Sequence, residues 1–130
     1  SRKNEKLLFD NQRRIIEDLI IKSEKFKGIK LICASIDNIV DENILSDQFR
    51  SLVKKQGIML LGLVKDNAPM VICSITDDLT TSYNANDIVK IAAKYIKGGG
   101  GGKKYFAKAG GKDLKSLNDA ILKTKSEVFK

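Results

Sequence analysis

Apolar residues fall at two different spacings along this chain. From Arg2 to Lys27 there is neither Gly nor Pro, and Leu8, Gln12, Ile15, Leu19, Lys22 and Phe26 recur at alternating steps of four and three. This predicts one helix, about 40 Å long at ~1.5 Å per residue. It carries a heptad seam with two polar members. Ile16 and Ile20 widen its apolar face. Such a seam serves self-association or continues an upstream coiled coil. The competing reading is an amphipathic helix packed on its own domain. Gly28 is placed to stop it.

Beyond Gly28 the pattern shortens. The run 29–36 (IKLICASI) is mostly apolar with a β-branched share, which predicts a strand. Asp41 can cap a helix over residues 41–56, where Ile44, Leu45, Phe49, Leu52 and Val53 keep helical spacing and Gly57 ends it. Residues 57–65 (GIMLLGLVK) and 68–76 (APMVICSIT) flank Asp66-Asn67, and two apolar runs around a two-residue polar turn predict a hairpin. Pro69 lacks an amide hydrogen and belongs at a strand start or an edge. Asn84 or Asn86 can cap a helix through Lys97 that turns Ile88, Ile91, Ala92, Tyr95 and Ile96 inward. Residues 103–109 (KKYFAKA) form a short segment, read as an edge strand. Asp113 or Ser116 can open a last helix with Leu117, Ile121 and Val128 on one face. The expected fold is α/β (α+β): a small mixed β-sheet with helices packed on it, preceded by a long N-terminal helix. Residues 1–28 are a helical connector with coiled-coil potential, and 29–130 are the globular body.

With 130 residues the chain suits one domain. The start at Ser1 rather than Met implies a piece of something longer. No apolar run reaches the ~18 residues that would cross a bilayer. The chain has no His, which removes Ser-His and Cys-His nucleophile pairs and any His-based zinc site. No catalytic or metal residue is expected in it. Cys33 and Cys73 lie in apolar runs and fit buried thiols in a reducing compartment. The net charge is +8, distributed as +3 over residues 1–28, zero over 29–97 and +5 over 98–130. A neutral body with basic ends points to a polyanion, most often nucleic acid; the bland alternative is a solvated lysine surface.

The basic C-terminal third opens on five consecutive glycines, Gly98, Gly99, Gly100, Gly101 and Gly102. Glycine is costly to order, so the run implies a backbone that approaches something closely, with dihedrals only glycine tolerates. That partner is either a ligand phosphate, held by exposed amides in an anion-binding concavity, or another piece of the same fold. The named phosphate motifs do not fit. In P-loop register the first glycine falls on Lys97, and Lys104 stands where a hydroxyl is required. A dinucleotide fingerprint would need glycine at Lys103. What remains is a glycine run followed by Lys103, Lys104, Tyr105, Phe106, Lys108 and Gly110-Gly111-Lys112. Cations interleaved with aromatics suit a phosphate backbone and a stacked base. The competing reading turns Tyr105 or Phe106 into the core.

Residues 98–112 (GGGGGKKYFAKAGGK) resemble the glycine-rich signature of the C-terminal domain of alanyl-tRNA synthetases, the DHHA1-like or C-Ala domain of the bacterial type. There a glycine run, a basic residue and an Ala-x-Ala-Gly-Gly segment recur, the last being Ala107–Gly111 here. The hairpin with its polar turn, the Asp77-Asp78-Leu79-Thr80 loop, the helix 84–96 and the Lys112-Asp113 entry follow in the same order. DHH phosphoesterases share this core but place a His directly after the glycines, where this chain has Lys103. The segment Lys104-Tyr105-Phe106, and Lys108 where the family has Gln, also depart from the synthetase pattern and make this copy more basic.

The resemblance implies a non-catalytic tRNA-binding domain that docks alanine tRNA for aminoacylation and editing, in a cytoplasmic class II ligase. The parent enzyme would use ATP, Mg²⁺ and Zn²⁺, none of them held by this segment. Lys103, Lys104, Lys108 and Lys112 would take phosphates, and Gly98 to Gly102 would supply close backbone approach. Other synthetase domains would be partners, with a homodimer through the N-terminal helix as a further expectation and no membrane contact. Two alternatives remain: a dimerisation module of the same enzyme, and an accessory nucleic-acid-binding domain of a DHH phosphoesterase.

Overall fold

The computed structural model describes residues 2–38 and 40–130, with side chains from Phe9 onward. Helix α1 (Arg2–Ile21) leads into strands β1 (Glu24–Phe26) and β2 (Ile29–Ser35), helix α2 (Glu42–Leu52), strands β3 (Gly57–Lys65) and β4 (Ala68–Ile75), helix α3 (Ala85–Tyr95), strands β5 (Gly99–Gly102) and β6 (Phe106–Gly110), and helix α4 (Leu117–Val128). The six strands form one mixed sheet in the order β1-β2-β3-β4-β6-β5. Only β2 and β3 run parallel, with α2 as the crossover between them.

Alternation along the central strands sorts the core into two layers. Ile58 and Leu60 of β3, with Val71 and Cys73 of β4, meet Ile88, Val89 and Ala92 of α3 and Leu117 and Ile121 of α4. Met59, Leu61 and Leu63, with Ile72, meet Ile16 of α1 and Leu45 and Phe49 of α2. The sheet thus carries helices on both faces, which is why β3 and β4 read as nearly continuous apolar runs. The strand 29–36, the helix after Asp41, the 57–65/68–76 hairpin, the helix after Asn84 and the last helix all form. Asp41 caps α2 by accepting from the Asn43 and Ile44 amides. The Asn84 side chain accepts from the Asn86 amide. Asp66 and Asn67 both take positive φ, 53° and 62°, as a two-residue hairpin turn requires. Pro69 is the second residue of β4.

Three expectations are corrected. The N-terminal helix stops at Ile21 rather than Lys27, because residues 24–29 fold into a tight hairpin with Phe26 opposite Ile29. Lys27 and Gly28 supply its positive-φ turn at 51° and 83°, so Gly28 turns a hairpin and caps no helix. Phe26 leaves the supposed seam and packs edge-on against Phe129, ring centroids 5.8 Å apart. Of the remaining seam, Gln12 is buried, with its amide bonded to the Asp41 backbone. Lys22 pairs with Asp18 at 3.0 Å, and the Leu8 side chain lies outside the described residues. Second, α2 ends at Leu52, and Gly57 begins β3 instead of ending the helix. A Cβ on Gly57 would come 2.4 Å from the Val53 side chain. Third, the segment read as an edge strand is interior: β6 lies between β4 and β5, and the glycines themselves form the edge.

Candidate nucleic-acid interface

Edge strand β5 is all glycine, and at three of its four positions, as at Gly98 just before it, the neighbours leave no room for a side chain. A Cβ on Gly98 would sit 1.8 Å from the Gly110 carbonyl oxygen, on Gly100 2.3 Å from that of Lys108, and on Gly102 2.7 Å from that of Phe106. On Gly101 it would sit 2.5 Å from Asn86 Oδ1 of α3. These glycines approach another piece of the same fold. The expectation of special dihedrals is corrected, since Gly28 alone among the described glycines takes positive φ. The Asn86 side chain also accepts from the Gly102 amide at 3.0 Å, which ties the edge strand to the first turn of α3.

The turn from β5 to β6 carries Lys103, Lys104 and Tyr105, and its backbone is held from three sides. The Lys103 amide donates to the Phe106 carbonyl, the Ala85 amide to the Lys104 carbonyl, and the Ile75 amide to the Tyr105 carbonyl, at 2.8 to 2.9 Å. Lys103 and Lys104 are exposed on this fixed turn. The Tyr105 ring lies under the Arg50 guanidinium, with Cζ 4.5 Å from the ring centroid, and Lys103 Nζ is 5.6 Å from that centroid. Arg50 also pairs with Asp77 at 2.5 Å, while its Nε is buried with no hydrogen-bond partner among the described residues. Gly101, Gly102, Lys103, Tyr105, Phe106 and Lys108 line a shallow groove of about 270 Å³. Tyr105 is therefore half-buried at this groove, whereas Phe106 packs onto the α1–α2 side of the core.

Helix α2 delivers Arg50 because two contacts lock the helix to the sheet. The Ser46 and Ser74 hydroxyls bond at 2.8 Å. One turn earlier, buried Glu42 takes Lys65 of β3 at 2.8 Å and Lys108 of β6 at 3.2 Å. Burial alone would raise the Glu42 carboxyl. Hydrogen bonds from Lys65, from its own backbone amide and from Lys108 outweigh that and bring its pKa down to about 2. The same bond raises Lys65. Lys108 thus already spends its charge on Glu42 inside the fold.

Lys112 lies at the far end of β6, beside a second groove of about 430 Å³ lined by Lys65, Asp66, Lys97, Gly98, Gly110 and Gly111. Lys104 and Lys112 are eight residues apart, on opposite sides of the strand Phe106–Gly110, which puts them at most about 25 Å apart at ~3.3 Å per residue. The four lysines named from sequence therefore divide: Lys103 and Lys104 at one end of β6, Lys108 engaged with Glu42, and Lys112 at the other end. Sequence reading missed Arg50, Asp77, Asn86 and Glu42. Each contributes through contacts 16 to 66 residues away, for which the linear pattern carries no signal.

Comparison with known proteins follows the same lines. The DHHA1 domain profile matches residues 28–130. An alanine–tRNA ligase of Dehalococcoides mccartyi is 32% identical over 86% of this chain. One of Bacteroides fragilis is 35% identical over 92% of it. The chain spans only 13% and 14% of those two proteins. The crystal structure of the C-Ala domain from Aquifex aeolicus alanyl-tRNA synthetase superposes with a TM-score of 0.70. It covers 83% of this chain and 98% of that one at 21% identity, so the fold is shared.

Proposed function

The chain belongs to the DHHA1 domain family, and from that premise we propose that it is the tRNA-docking C-terminal domain of an alanine–tRNA ligase. The observation that carries this reading is the Arg50–Tyr105–Lys103 stack beside exposed Lys104, on a turn pinned to β4 and α3. A rigid turn bearing two exposed lysines suits phosphates, and the Tyr105 edge of the groove suits a base or sugar face. The domain performs no bond chemistry itself. The remainder of such a cytoplasmic class II enzyme would activate alanine with ATP and Mg²⁺ and edit mischarged tRNA at a zinc site. This domain would hold the tRNA for both centres.

Fluorescence anisotropy against an alanine tRNA transcript, with a duplex RNA of equal charge as competitor at two salt concentrations, tests this. Binding to both RNAs should weaken as salt screens the phosphate contacts, but a preference for the tRNA that survives added salt is the expected result, because the duplex of equal charge shares the generic attraction and lacks the folded shape. Equal binding to both RNAs that salt abolishes, or tRNA binding undiminished in Lys103→Glu/Lys104→Glu, refutes it. A DHH motif upstream of this segment would instead place the domain in a phosphoesterase. Exposed Phe9 and Ile21 on α1, 43% and 81% accessible, favour one additional reading, self-association through that helix. Sedimentation at micromolar concentration decides it.

A further inference from the structure

Five of the seven glycines in 98–102 and 110–111 have a packing reason; Gly99 and Gly110 have none. A Cβ on Gly99 would meet nothing within 4 Å, and one on Gly110 would reach only the Pro69 carbonyl oxygen, at 3.9 Å. Neither residue takes positive φ. Yet they are cross-strand partners, opposite each other in the β5–β6 ladder. Glycine weakens a strand, and a paired bare site with open space above it marks where something outside the strand comes close to the backbone.

Two free cations flank this pair. Lys97 follows the last turn of α3 in the left-handed region, at φ 55°, a place where helices ordinarily put glycine. Lys112 is fixed beside it, since the Lys112 and Asp113 amides both donate to the Ile96 carbonyl at 2.9 Å. Among the described residues neither Lys97 nor Lys112 pairs with a carboxylate. Lys65 at the same groove is held by Glu42, and Asp66 is the acidic residue on its rim. Lys94 and Lys90, three and seven residues before Lys97, are exposed and continue the line along α3, with Lys90 Cε 3.5 Å from the Cβ position of Gly101.

We infer that the Gly99–Gly110 pair, between Lys97 and Lys112, is a second contact for an RNA sugar-phosphate backbone. The glycines leave the main chain bare so that the backbone can settle on the strand, and the two lysines neutralise its phosphates. This rests on the tRNA-docking reading and narrows its ligand. With the two lysine stations at opposite ends of the five-residue strand β6, the domain takes a folded RNA that presents two backbone segments, and a short single strand fills only one.

The test uses the 130-residue chain and the alanine tRNA transcript, with a tetranucleotide of uridine as the short probe. Lys97→Ala/Lys112→Ala is expected to weaken tRNA binding at least five-fold. It should also flatten the slope of log K against log salt by about 1.4 to 1.8, the loss of two phosphate contacts. Gly99→Val, placed in open space, should keep the parent's melting midpoint and still weaken tRNA binding at least five-fold. Both variants should bind the tetranucleotide as the parent does. Lysine and glycine variants that bind tRNA within two-fold of the parent at unchanged slope overturn the second contact and leave the docking reading intact. A parent chain that binds no tRNA overturns the docking reading itself.

Discussion

The Arg50 guanidinium of α2 lies 4.5 Å from the centre of the Tyr105 ring, 55 residues away in sequence. It joins the helix on one face of the sheet to the turn that presents Lys103 and Lys104. An aromatic ring under a planar cation is held in one orientation, and a ring so held loses little freedom when a nucleotide stacks on it.

Tyr105→Ala is therefore expected to weaken tRNA binding by about 1–3 kcal/mol, the usual worth of one aromatic stack. Tyr105→Phe should keep most of it, because the ring and its cation contact survive. Arg50→Lys should fall between, retaining a charge near Asp77 while losing the planar stack. Anisotropy titrations of the three variants give the order. An equal loss in Tyr105→Phe and Tyr105→Ala would assign the effect to the hydroxyl.

Glu42 makes stability depend on acid. Its pKa is about 2 in the fold against an ordinary 4.5, so the unfolded chain binds the proton more readily. The resulting stabilisation is fully present above pH 4.5 and is lost as pH falls towards 2. Glu42→Gln should cost about 2 kcal/mol at neutral pH, the order of a charge-assisted hydrogen bond. It should also flatten the decline of stability between pH 4.5 and 2. Urea denaturation midpoints across that range measure both effects.

Gly98, just before β5, and Gly99, its first residue, should respond oppositely to alanine. Gly98→Ala forces a Cβ to within 1.8 Å of the Gly110 carbonyl oxygen, and the backbone shift should cost about 1–3 kcal/mol. Gly99→Ala enters open space and should be neutral or stabilise by about 0.5–1 kcal/mol. Thermal unfolding of the two variants distinguishes them, and equal losses would mean that β5 does not lie on β6 as described.

The hairpin at Asp66-Asn67, the Asp41 and Asn84 caps and the alternating apolar runs were legible because each is set by residues adjacent in sequence. The glycine run was legible as a close approach, and not as a strand, since glycine carries no strand signature and the reason for it lies in Gly110, Lys108 and Phe106. The lysines were legible as a composition. Their division between two ends of β6, and the claim of Glu42 on Lys108, depend on where α2 crosses the sheet. The helix boundary failed because residues 22–27 keep a helical spacing while Lys27-Gly28 turns the chain back against β2.

Helix α1 offers two isoleucines that separate packing from association. Ile16 is fully buried against α2 and the sheet, whereas Ile21 is 81% accessible at the helix end. Ile16→Ala leaves a cavity that the β3 side chains cannot fill, so it should cost about 2–5 kcal/mol at every protein concentration. Ile21→Ala removes little buried surface within the domain and should leave the monomer's unfolding nearly unchanged. If α1 also joins two chains, Ile21→Ala should shift the sedimentation boundary towards the monomer and abolish any dependence of melting temperature on concentration. A parent chain that sediments as a monomer at micromolar concentration, with Ile16→Ala still destabilised, would assign α1 wholly to its own domain.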